Sequence, residues 1–154
     1  MGKPRVIVDT DVVINWLCRE VETSSEKILW RAPLTISKNA EAGKISGNIC
    51  LLSILEIRFV LRRKKRVSRN EVEKDIQDIQ QIYQSIVPDE IVILRANKLQ
   101  SREELDPFDS LLLATALSLP EIHLITRDNL FKSIAQRYVR AYDPEEFVEK
   151  LGLI

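Results

Sequence analysis

The sequence predicts an α/β protein built from βαβ units on a parallel sheet. Short β-branched runs alternate with amphipathic stretches along the chain. Runs such as V-I-V and H-L-I read as the ends of buried strands. Several of these runs also end on, or near, an acidic residue. With 154 residues, 45% of them hydrophobic, the chain suffices for one domain with a sizeable core.

The elements follow in order. Arg5–Asp9 is the first strand. A helical region then carries a capping-box signal from Thr23 to Glu26, an interruption at Pro33 and a C-terminal stop at Gly43. Asn48–Leu52 is the second strand, and Ser53 to about Arg66 one helix. Ser68 is a good N-cap for the next, with Glu71 completing a capping box; that helix runs to about Ser85, and Pro88 ends the region. Ile91–Leu94 reads as the third strand. Asp106 then caps a helix with Pro107 in its first turn and Asp109 at its third position, continued by Leu111, Leu112, Thr115 and Leu119 to Pro120. Ile122–Thr126 is the fourth strand and Tyr138–Tyr142 a weaker fifth. Asp143 caps a last helix begun by Pro144. No repeat, low-complexity tract or linker divides residues 1–154, which read as a single domain.

Composition narrows the classes. No run of roughly 18 apolar residues offers a membrane span, and the opening M-G-K-P-R lacks an apolar signal region, so a cytoplasmic location is expected. Cys18 and Cys50 lie in apolar contexts and read as reduced core thiols. Two cysteines and one histidine argue against a conventional zinc site, and His123 reads as a packed residue. Basic and acidic residues balance at 23 each, but Arg58, Arg62, Arg63, Lys64, Lys65, Arg66 and Arg69 crowd one stretch. That stretch suits either contact with nucleic-acid phosphates or a solvated helix end.

The acids carry the chemistry. Asp9 ends the first strand, Glu56 lies one turn into the helix after the second, Asp109 opens a crossover helix, and Asp128 lies just past the fourth strand. Ligands of an open parallel sheet gather at the carboxyl ends of its strands, and a crossover helix begins at that edge. All four therefore share one edge. Singly, each has a structural explanation: Asp9 as a cap, Asp109 as a charge favouring the helix dipole, Asp128 as a turn residue. Glu56 is hardest to explain so, because Leu52, Ser53, Phe59 and Val60 make its helix face mostly apolar. A carboxylate there needs a partner, and Mg²⁺ or Mn²⁺ fits hard oxygen donors.

In sequence, the segments V-I-V-D9-T10-D11-V-V-I, L-S53-I-L-E56-I-R, D-P-F-D109-S-L-L-L-A-T-A and T126-R-D128 resemble the four motifs of PIN-domain nucleases, most closely the single-domain toxins of the VapC type. The resemblance spans essentially the whole chain. It implies a three-layer α/β/α sandwich with a mostly parallel five-stranded sheet, and Mg²⁺- or Mn²⁺-dependent cleavage of RNA. Asp9, Glu56, Asp109 and Asp128 would then be metal ligands, direct or through water, and Thr126 would orient a carboxylate or water. Asp11 stands where the family more often has Asn or Ser, as an added ligand or an N-cap; Asp106 is a further accessory acid. Pro33 breaks a helix that the family commonly keeps continuous.

No His or Lys is placed to act as base, so a metal-activated water is the expected nucleophile, with a carboxylate accepting its proton. Arg127, beside Asp128, is open to substrate contact or a surface role, and Arg62 and Arg63 are candidate RNA contacts. By analogy with VapC-type toxins, an antitoxin protein and a homodimer are expected partners. Two other readings compete. D9-T-D11-V-V13 also resembles the HAD-phosphatase motif, with Asp9 as nucleophile and Asp11 as general acid, although D-P-F-D precedes Thr126, the reverse of that family's order, and no lysine falls in the expected place. A catalytically silent PIN-like binding module is the other, against which the presence of all four acids argues.

Overall fold

A computed structural model describes residues 2–153. Its five-stranded sheet has the order β3-β2-β1-β4-β5, with every pairing parallel. The strands are β1 (Arg5–Val8), β2 (Ser46–Cys50), β3 (Gln84–Ile86), β4 (Ile122–Ile125) and β5 (Arg140–Tyr142). Helices α1 (Thr10–Leu17), α2 (Arg31–Glu41), α3 (Leu51–Phe59) and α4 (Arg69–Ile82) lie between β1 and β3, and a π-helical turn, Val60–Lys64, extends α3. They are followed by α5 (Glu90–Arg102), α6 (Pro107–Leu117), α7 (Asn129–Ala135) and α8 (Pro144–Lys150). The expected sandwich is present, and its sheet is wholly parallel.

Alternation along the strands builds the two outer layers. On β1, Val6 and Val8 enter one core with Val12, Ile36, Ile57, Ile79 and Phe147, from α1–α4 and α8. Ile7 points the other way, among Val92, Leu99, Leu113, Leu124 and Phe131. All three β1 residues are fully buried, as a central parallel strand requires. β1 is flanked by β2 and β4, so the chain winds outward to β3 and then returns across the sheet. The switch point between β1 and β4 is where such sheets open a cleft.

The third strand differs from expectation. Ile91–Leu94 is helical: the Asp89 side chain accepts from the Val92 N–H and starts α5, whose buried residues Val92, Ala96 and Leu99 recur at helical spacing. A short apolar run does not by itself distinguish helix from strand. Gln84–Ile86 pairs with β2 instead. Thr23 and Glu26 form no helix either; Glu26 has φ 58°, and Val21 and Ile28 bridge antiparallel around that turn. Pro33 falls in the first turn of α2, where no intrahelical N–H bond is lost. The caps at Ser68, Asp106 and Asp143 form as the sequence predicts, and Gly43 adopts φ +76° beyond the end of α2. Cys18 and Cys50 are free thiols, and His123 packs between Tyr142 and Phe147.

Candidate active site

Register brings the acids to one level. Val8 is aligned with Ile49 on β2 and with Ile125 on β4, so the residues after them emerge together at the carboxyl edge. The Asp9 N–H donates to Ile125 O at 2.9 Å, extending that alignment by one residue. Asp9, Asp11, Glu56, Asp106, Asp109 and Asp128 all line one open cleft of about 380 Å³ there. Its other lining side chains include Lys64, Lys65 and the exposed ring of Phe108.

Two threonines hold the first carboxylates. Asp9 Oδ1 accepts from the Thr10 N–H at 2.7 Å, and Asp9 Oδ2 from the Thr126 hydroxyl at 2.8 Å. Thr126 is fully buried, and its Oγ1 also accepts from the Asp128 N–H at 3.1 Å, tying that loop to Asp9. The Thr10 hydroxyl donates to Glu56 Oε1 at 2.8 Å. Glu56 therefore has a hydroxyl partner on α1, the compensation that its apolar helix face requires. Asp106 and Asp128 are exposed N-caps, accepting from the N–H groups of Asp109 at 2.8 Å and Phe131 at 3.0 Å.

Charge at this edge is poorly compensated. Burial is the largest cause in each case, and neighbouring carboxylates add to it. The Asp9 carboxyl is pushed from 3.8 to about 6, with Glu56 and Asp128 opposing its ionisation against the two threonine-side hydrogen bonds. Asp109 rises to about 7 beside Asp9 and Asp106. Asp11 rises to about 8: the charge of Asp9 outweighs the backbone N–H groups of Val12 and Arg127, and its Oδ1 is buried without a hydrogen-bond partner. These are hard oxygen donors in want of positive charge, a donor set that fits Mg²⁺ or Mn²⁺. Among the described residues, no three acidic, His or Cys side chains close on a common point tightly enough to cage an ion by themselves. Such an ion would keep part of its water shell, as Mg²⁺ usually does.

Arg127 is engaged by the protein itself. Its guanidinium donates to Asn15 Oδ1 at 2.6 Å, Leu29 O at 2.6 Å and Glu145 Oε1 at 2.7 Å. Asn15 in turn donates to Glu20 at 2.9 Å, and Lys65 reaches the other Glu20 oxygen at 2.8 Å. This chain of contacts links the β4–α7 loop through α1 to the π turn. Arg62 and Arg63 are exposed and lie away from the acids, beside Leu55, Arg58 and Phe59. The sequence does not single out Thr10, Phe108, Lys64, Asn15 or Glu20 as site residues, and it offers Arg127 as a substrate contact or a surface residue rather than as the centre of this relay. Only Thr10, the small polar residue following Asp9, carried a local signal.

The carboxylate edge of an open parallel sheet defines a class, the α/β proteins that gather ligands on strand-end acids. Within it, the family model described as PIN domain matches residues 5–130, and the chain belongs to that family. No curated protein matches it. Its fold is shared by VapBC-1 from nontypeable Haemophilus influenzae, with a TM-score of 0.66 at 14% identity over 92% of this chain and 98% of that one. DNA-bound VapBC from Salmonella typhimurium gives 0.66 at 13% identity, over 94% and 99%. A toxin-antitoxin complex from Klebsiella pneumoniae gives 0.59 at 18%, over 90% and 97%.

Proposed function

We propose that the chain is a Mg²⁺- or Mn²⁺-dependent endoribonuclease and the toxin of a toxin–antitoxin pair. The observation that carries this reading is the set of crowded, under-compensated carboxylates at the switch point of a PIN-domain sheet. Asp9, Glu56, Asp109 and Asp128 hold the ion, directly or through water, with Asp11 and Asp106 as accessory acids. When bound, the ion polarises the scissile phosphate and activates a water for in-line attack. The chain's residues supply the rest. Thr126 and the Thr10 N–H fix both oxygens of Asp9, and the Thr10 hydroxyl fixes Glu56, so the donors are oriented before substrate arrives. A carboxylate of this set accepts the proton of the attacking water as the 3′ oxygen leaves.

A solved toxin–antitoxin complex with this fold supports an antitoxin partner; on this reading the antitoxin docks near the acidic edge and offers its carboxylates a basic side chain. Self-association is supported by α5, where Ile91 and Leu94 share a helix face at 70% and 59% exposure. No described helix is long and apolar enough to cross a membrane, and the reading places the activity on cytoplasmic RNA. The test is cleavage of a panel of structured and unstructured RNAs with Mg²⁺, Mn²⁺ or EDTA, by wild type, Asp9→Asn and Asp109→Asn. Cleavage that needs the ion and falls more than about 100-fold in both variants is expected, a larger effect than loss of a supporting residue. Equal activity in all three proteins sinks the site.

A further inference from the structure

We propose that Phe108 is a base-stacking, positioning residue of this cleft, and that Lys64 holds a phosphate of the same strand. The proposal rests on the ribonuclease reading and names how its substrate is seated. Phe108 occupies the second position of α6, between Asp106 and Asp109, and lines the acidic cleft with half of its surface exposed. The half of a large ring left in water at a helix start gains nothing from packing. Placed among carboxylates, it is the one aromatic ring among the described lining residues, a flat apolar surface on which a base can lie.

The π turn supplies the second element. The Lys65 N–H donates to Val60 O at 3.0 Å, closing a turn one residue wider than in an α-helix. At 3.6 residues per turn, Lys65 would stand about 140° round the axis from Val60. Widened, the turn brings Val60, Lys64 and Lys65 together onto the cleft. Lys65 is taken by Glu20 at 2.8 Å, but Lys64 is exposed and has no acidic partner within salt-bridge distance among the described residues. A cation is thus presented beside a floor of carboxylates that would otherwise repel a polyanion.

Unpaired RNA bases are read by stacking on aromatic side chains, with Lys and Arg tracking the backbone, whereas bases in a duplex keep their faces on one another. The cleft therefore selects a strand whose base beside the scissile linkage is unpaired.

The experiment compares wild type, Phe108→Ala, Phe108→Trp and Lys64→Gln on an unstructured RNA oligonucleotide, the same oligonucleotide with one abasic position next to the cut, and its duplex. Affinity is read by fluorescence anisotropy in Ca²⁺, cleavage in Mg²⁺, and folding by melting midpoint. Phe108→Ala is expected to weaken binding of intact single-stranded RNA about tenfold, the order of one lost base stack, and to raise KM more than it lowers kcat. Phe108→Trp restores affinity, and wild type and Phe108→Ala bind the abasic strand equally. Lys64→Gln lowers the slope of log Kd against log salt by about one. Unchanged RNA affinity in Phe108→Ala, as for a ring that docks a protein, overturns the proposal; so does an equal loss on intact and abasic strands. Failure of the ribonuclease reading shows separately, as absence of cleavage by wild type.

Discussion

Two buried polar regions of this protein are built on opposite terms. Around Tyr83, at the end of α4, the ring is buried and its hydroxyl is 2.8 Å from that of Ser37 on α2. A Cβ at Gly47 would lie 2.7 Å from the Tyr83 ring, so glycine on β2 is what lets the ring lie against the strand. Every group there has a partner. At the carboxyl edge, Asp9, Asp11 and Asp109 are crowded together, and one Asp11 oxygen is buried without any donor. Shape and hydrogen bonding complete the first region from within. The second is completed only by positive charge from outside, and carboxyls pushed up together in one cleft mark a functional site more often than a flaw in the fold.

The contrast is tested first at the threonine that serves the acids. Thr126→Val removes the hydroxyl that holds Asp9 Oδ2 and is expected to cost about 10–100-fold in cleavage rate, as supporting contacts of a metal site do. An unchanged rate would mean that Asp9 needs no orientation. Gly47→Ala addresses the other region. Tyr83 must move aside, at about 1–3 kcal/mol by urea unfolding, while cleavage per folded molecule stays at wild-type level. If activity falls with stability intact, the two regions are not independent.

The pH dependence of stability separates them more gently. Carboxyls at about 6, 7 and 8 in Asp9, Asp109 and Asp11 bind protons that the unfolded chain, near 3.8, has already lost. The folded state therefore holds more protons over this window, and its stability falls as pH rises from about 4 to about 8. Metal-free protein is expected to melt at progressively lower temperature across that range, with the slope flattened by Mn²⁺. A melting temperature that climbs through the window would show the acids to be well compensated without an ion.

Much of the fold follows from patterns readable in the chain. β1 and β4 are short runs rich in Val, Ile and Leu that alternate with helical stretches, and Asp106-Pro107 and Asp143-Pro144 announce their helices through cap chemistry. Ile91–Leu94 misleads because three of its four apolar residues face solvent, so the run records an exposed helix surface rather than a core strand. β3 has the reverse problem: Q-S-I is short, polar and at the sheet edge, where pairing alone makes it a strand. The gathering of the acids could be inferred because parallel topology dictates it. Their balance could not. Glu56 looked the least tolerable, yet Thr10 satisfies it from 46 positions away in sequence, a contact that only the register of β1 and β2 creates. Asp11, which the sequence offered as an accessory ligand or a cap, is the acid of the cleft left with a buried, unpartnered oxygen among the described residues. Arg127 likewise turns inward, because its acceptors come from α1, the following loop and α8.

Calorimetric titration of metal-free protein with Mn²⁺ at pH 7, in two buffers of different ionisation enthalpy, reads both the ion and the protons it displaces. Because Asp11 and Asp109 hold protons near neutrality, saturable binding accompanied by proton release is expected, weakened in Asp9→Asn. No saturable binding, or binding as tight in Asp9→Asn as in wild type, would contradict the assignment of this edge as a metal site.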